Sequence, residues 1–225
     1  MDNILNYPTS CIVDNVVPKT MFYRFMEVSP RMKKHFVNDV ESITWLYKLS
    51  ASSLNVTDTP EMKEVEVFVA KLKSADCPKD LFTFIDENMP HHIIFILTVD
   101  DNYMILQNYK EWADETHTKF KISKSFSSLW VPQSELSLPI DGLSLPRIYD
   151  NFAASLSGIG QHKAGELSEI IKLKTQISAK EKELKALQAK VRSEKQFNLQ
   201  MEMNRKVKAM RKELDDIKNQ LEKLQ

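Results

Sequence analysis

Glu64-Val65-Glu66-Val67-Phe68-Val69-Ala70-Lys71-Leu72 and the later run Ile93-Ile94-Phe95-Ile96-Leu97 decide the fold. The first is β-branched and aromatic along most of its length and reads as a largely buried strand. The second is the strongest central-strand signal in the chain. Between them Pro78 permits a helical start, and Leu81, Phe82 and Ile85 form a short apolar face. Pro90 then forces the helix to end. Strand, helix and strand in succession indicate an α/β head with a mixed sheet and flanking helices.

Working outward, Ser29-Pro30 pairs an N-cap with proline at the first helical position, so the spacing of Met32, Phe36 and Val40 predicts a helix over about 30–41. Ile43, Trp45, Tyr47 and Leu49 alternate with Thr44, Leu46 and Lys48, the period of a strand with a wet or partly wet face. Residues 52–61 read as a loop. Asp100-Asp101-Asn102 supplies a glycine-free turn into Tyr103-Met104-Ile105-Leu106. A further strand is expected from Phe126 to Val131, ended by Pro132. An extended connector around Gly142 follows, then a short helix from Pro146 through Phe152 to Leu156.

The head is thus assigned to 1–157, a glycine-containing hinge to 158–165, and a coiled-coil helix to 166–225, where neither Gly nor Pro occurs after Gly165. Ile170, Leu173, Ile177, Leu184, Leu187 and Val191 occupy heptad a and d positions. Val207, Met210, Leu214, Ile217, Leu221 and Leu224 repeat the pattern in a register that does not continue the first block. The slip between 192 and 206 allows one continuous helix, the favoured arrangement, or a hairpin turning near Glu194-Lys195-Gln196-Phe197-Asn198. As one continuous helix the seam calls for a helical partner, in a second copy or another subunit, whereas a hairpin folds the seam back on itself.

Zero net charge conceals an asymmetry: residues 161–225 hold 16 Lys and Arg against 10 Asp and Glu, leaving 15 against 21 for 1–160. The basic tail is compatible with nucleic-acid binding, and equally with a solvated helix surface. Two cysteines, Cys11 and Cys77, are too few for a disulfide framework and fit a reducing cytoplasm. The N-terminus lacks the pattern of a secretory signal, and no run approaches the ~20 apolar residues of a membrane span.

All four glycines lie between 142 and 165. Gly-rich phosphate cradles, dinucleotide fingerprints and nucleophile elbows are therefore absent from the first 141 residues, and no cofactor motif is read. His35, His91, His92, His117 and His162 make no HExxH or Cys/His cluster. Adjacent His91 and His92 precede a strand, so they project to opposite faces.

The order helix, strand, optional strand, strand, helix, strand over 30–99 resembles a restriction-endonuclease-like core, in a degenerate form. In that family the third strand carries an acid and a lysine two residues apart, with carboxylates holding Mg²⁺ and the lysine orienting water. Here Glu64 and Glu66 share one face, Asp58 is the obvious third acid, and Lys71 is too far along to fill the lysine slot. Glutamates at a strand start also serve as plain surface charges.

Val17-Pro18-Lys19 with Phe22-Tyr23, Glu64-Val65-Glu66-Val67-Phe68, Pro90 before Ile93-Ile94-Phe95-Ile96, and Glu194-Lys195-Gln196-Phe197-Asn198 together resemble an uncharacterised prokaryotic domain-of-unknown-function family. That resemblance implies a neighbourhood of helicases and DNA methyltransferases in restriction or antiviral-defence islands. The function expected is a non-enzymatic scaffold subunit of such a complex, partnered by a helicase or methyltransferase. A divergent metal-dependent nuclease subunit using Asp58, Glu64 and Glu66 is the alternative.

Overall fold

The computed structural model describes residues 3–112, 120–157, 166–194 and 196–223. The chain divides into two compact units, Met1–Gln161 and His162–Gln225. The hinge expected at 158–165 lies outside the described residues, as does Leu224.

In the first unit, in chain order, stand β1 (Ile12–Val16), α1 (Lys19–Phe25), α2 (Pro30–Asn38), β2 (Val40–Ser50), the single turn α3 (Ala51–Leu54), β3 (Glu64–Leu72), α4 (Asp80–Glu87), β4 (His92–Val99), β5 (Asn102–Trp112), β6 (Phe120–Ser127), β7 (Val131–Pro132) and α5 (Leu145–Ser157). The strands form one mixed seven-stranded sheet in the order β1-β2-β3-β4-β5-β6, with β7 paired to β5. Among the described strands only β3 and β4 pair in parallel, because α4 carries the chain back across the sheet between them.

Both central strands are buried almost throughout. Phe68, Ala70, Leu72, Phe95, Leu97 and Leu106 meet α1, α2 and α4 through Phe22, Phe36, Leu81, Phe82 and Ile85. The opposite face carries α5, whose Tyr149 ring lies 4.8 Å from the His92 ring and 5.4 Å from that of Tyr109. A sheet covered on both sides explains why β3 and β4 read as continuous apolar runs.

Several expectations are adjusted. Ser29 does cap α2, accepting a hydrogen bond from the Met32 amide, but the helix stops at Asn38. The face of β2 expected to be wet is closed, with Thr44 and Leu46 buried. The last long strand runs over Phe120–Ser127 and not 126–131, because its lysines mark an outer strand protected against further pairing. The glycine-free turn forms, with Asp100 at φ 51° between Val99 and its partner Asn102. Strand β1 and helix α1 carried no clear periodicity and went unread.

In the second unit the single helix expected over 166–225 is instead two, α6 (Glu166–Ser193) and α7 (Phe197–Glu222), interrupted by Gln196 in an extended conformation. They pack antiparallel, with Lys180 on Glu213 at 2.5 Å and Lys218 on Glu181 at 2.8 Å. Gln200 also donates to the Val191 carbonyl across the turn. The slipped heptad register thus marks a hairpin. Ile170, Leu173, Val207 and Leu214 are buried, and Ile177, Leu184, Leu187, Val191, Met210, Ile217 and Leu221 half-buried. Spin labels at Lys180→Cys and Glu213→Cys are expected within roughly 20 Å, since packed helix axes lie about 8–10 Å apart. A continuous helix would separate them by about 50 Å, so a pulsed-resonance distance near that value would refute the hairpin.

Candidate metal centre

Glu64 and Glu66 alternate with the buried Val65 and so project from β3 on the face that also carries Phe68. Parallel pairing of Val65 with His92 places His91, the residue just before β4, beside Glu64. One ligand atom each from Glu64, Glu66 and His91 can be chosen so that all lie within 4.8 Å of one another. His91 Nδ1 is 3.5 Å from Glu64 Oε1.

A cation from β2 completes the group. Trp45 pairs with Phe68 and Tyr47 with Val67, so Leu46 is an extra residue in β2. That bulge brings Lys48 opposite Glu66, onto the same face as Trp45, and its ammonium forms an ion pair with Glu64. With strict alternation Lys48 would face the other way.

Glu66 is only 5 % exposed, and its Oε2 has no hydrogen-bond partner. Burial and then the Glu64 charge push its carboxyl up to about 7. A buried carboxylate that has one oxygen without a hydrogen-bond partner and is clustered with a second carboxylate and an imidazole fits a divalent cation, which would offset its charge and relieve the repulsion. Two carboxylates with one imidazole suit Mn²⁺, and Mg²⁺ for its oxygen preference.

The raised Glu66 value sets a pH dependence. In the cation-free protein, protonated Glu66 contributes stability that is complete below its ordinary value near 4.5 and lost as pH rises through about 7. A cation competes with that proton. Mn²⁺ affinity, followed by calorimetry, is expected to rise with pH up to about 7 and then level off, with proton release on binding near pH 6. Affinity that is flat from pH 5 to 8 would exclude Glu66 as a ligand.

Below the cluster lies Lys110 of β5, buried together with Asp86 of α4, both side chains 0 % exposed and 2.8 Å apart. Its ammonium also donates to the Met89 carbonyl at 2.9 Å and the His91 carbonyl at 2.6 Å. Lys110 therefore ties down the link between α4 and β4 that carries His91. Burial lowers its own pKa, against the pull of Asp86, and burial raises the Asp86 carboxyl to about 7.

Of the acids expected from sequence, Glu64 and Glu66 come together, whereas Asp58 pairs with Lys63 at 3.3 Å and is not among the clustered ligands. Lys71 is spent on Glu41 at 2.9 Å. The two histidines diverge as expected: His92 is buried against the rings of Tyr149 and Phe120, where burial drives its pKa down to about 3. His91 joins the carboxylates alone, a role that treating the histidines as a pair had concealed. Cys11 and Cys77 are both free and buried. No helix among the described residues is long and apolar enough to cross a membrane.

Residues 5–214 match the family model of DUF4391, a domain of unknown function, and the chain belongs to that family. No curated protein and no solved structure matches it.

Proposed function

We propose that this member of the DUF4391 family is a divalent-cation-dependent nuclease, serving as the catalytic subunit of a DNA-modification or antiviral-defence complex. The observation that carries the reading is the buried, unpartnered Oε2 of Glu66 beside Glu64 and His91. Two features support it. The succession α2, β2, β3, α4, β4 has an order similar to a restriction-endonuclease-like core that lacks one strand before the helix, and the two acids lie on the strand that precedes that helix. Lys48, paired with Glu64 from β2 and not from the acid-bearing strand, supplies a lysine beside the acids.

A bound cation would supply charge neutralisation at the phosphate and lower the pKa of the attacking water. Glu64, Glu66 and His91 would hold it, and Lys110 keeps His91 in place. Lys48 orients the water and offsets charge developing on the phosphoryl oxygens. Hydrolysis adds the water oxygen to phosphorus and breaks one P–O ester bond, and the departing oxygen takes up a proton.

The tail supports a second role in the same protein. Leu199 and Met201 remain 40 % and 45 % exposed on α7, an apolar spot for a scaffolding contact, with a helicase, a methyltransferase or a second copy as the partner. The test is cleavage of single- and double-stranded DNA with Mn²⁺ or Mg²⁺, by the protein alone and with its co-purifying partners. Wild type is compared with Glu66→Gln. Cleavage unaffected by that substitution would leave only the scaffold role.

A further inference from the structure

Glu66 has a second environment. It also forms part of the wall of an open cavity of about 300 Å³ built from Phe22 and Phe25 of α1, Trp45 of β2, Phe68 of β3 and Met89. This volume sits at the lower end of the range for small-molecule sites, about 300–1,000 Å³. The walls are aromatic and flat: the Trp45 and Phe68 rings stack at 6.3 Å with 19° between planes. Phe25 stands at the mouth, 71 % exposed, with the Arg24 guanidinium 5.9 Å from its ring centre. Polar groups are few. Trp45 Nε1 is committed to the Tyr47 carbonyl, so Asn15 and Glu66 are the residues with polar side chains left to meet an occupant.

An exposed phenylalanine beside an arginine at the mouth of an aromatic cavity needs an occupant that is planar and apolar on its faces, polar at its edge and anionic where it leaves the cavity. Glu66 belongs to both the cavity wall and the carboxylate cluster, so the two are adjacent and one ligand can span them. In a nucleic-acid strand, the group next to a phosphate that meets these conditions is the base.

We propose that the cavity beside Glu66 receives an unpaired nucleobase from the strand whose phosphate meets the divalent cation held by Glu64, Glu66 and His91. The inference rests on the nuclease reading and deepens it, because a base can enter only when it is out of a duplex stack. The substrate class is single-stranded nucleic acid or a duplex with one nucleotide turned out. Phe25 stacks on the base, Asn15 meets its edge, and Arg24 lies toward the adjoining phosphate.

The test uses the full chain with Ca²⁺ and a short single-stranded DNA containing one 2-aminopurine, read by its fluorescence, so that binding is followed without cleavage. Wild type is expected to change the signal on binding. Phe25→Ala is expected to weaken affinity roughly tenfold or more, and Phe25→Trp to retain it. Because Phe25 is exposed, its loss leaves the core intact, as circular dichroism will check. Used as an unlabelled competitor of the 2-aminopurine strand, an oligonucleotide with an abasic site at that position should bind wild type about as weakly as the intact one binds Phe25→Ala. Equal binding of intact and abasic strands, an unaltered affinity of Phe25→Ala, or no binding at all would overturn the proposal. The same signal from 2-aminopurine inside a duplex indicates a turned-out base, whereas a signal from single strands alone indicates an unpaired substrate. Cleavage that needs Glu66 but ignores Phe25 and the abasic site would remove the pocket and keep the nuclease. Phe25-dependent binding without cleavage by protein or complex would do the reverse.

Discussion

Glu66→Gln is expected to abolish high-affinity Mn²⁺ binding and, with it, cleavage. The substitution keeps the size of the side chain and removes the charge. Loss of a group that merely orients a metal ligand costs about 10- to 100-fold in affinity, so loss of a ligand should cost at least about 100-fold. Stability should move the other way. In the absence of cation, wild-type Glu66 must ionise in a buried setting as pH rises through about 7, and glutamine does not. Glu66→Gln should therefore melt no lower than wild type at pH 8 without metal, and gain nothing on adding Mn²⁺. A variant that binds Mn²⁺ like wild type would end the metal-centre reading.

Lys110→Met should be the most destabilising single substitution in the head. It removes a buried ammonium that pairs with Asp86 and satisfies the Met89 and His91 carbonyls. Breaking one side of a buried pair costs about 3–5 kcal/mol. That is a large share of the ~5–15 kcal/mol that holds a domain together. The full cost is expected at pH 8, where Asp86 must either stay charged and unpaired or take a proton against the solution. It should shrink toward pH 5, because the protonated carboxyl needs no counter-ion. Replacing both partners, as in Lys110→Met with Asp86→Leu, should recover much of the loss. Urea titrations of wild type, Lys110→Met, Asp86→Leu and the double variant measure this, and a Lys110→Met loss below about 1 kcal/mol at pH 8 would show that the pair is not structural.

The central strands were legible because burial on both sheet faces leaves a mostly apolar run, as in Val67–Ala70 of β3 and Ile93–Leu97 of β4. Glu64 and Glu66 were legible as a pair because alternation along a strand needs nothing beyond sequence. Lys48 was not, since its approach depends on one extra residue, Leu46, that reverses the alternation of β2 midway. The regular spacing of Ile43, Trp45, Tyr47 and Leu49 therefore described the wrong faces. His91 was hidden because its position depends on the register between β3 and β4, a non-local pairing. In the tail the register slip was visible in sequence, but helix propensity does not choose between a continuous helix and a turn at Gln196.

The parallel pairing of β3 and β4 has a consequence for the order of folding. Hairpins such as β4 with β5 close over a two-residue turn, whereas β3 and β4 meet only after α4 and both flanking links have been threaded back across the sheet. Contacts of that kind carry a large loop-closure cost and form slowly. The two glutamates lie on one side of this closure and the histidine on the other. A nascent or partly opened chain thus has the acids without the complete cluster, and the capacity to hold a cation appears only with the finished sheet.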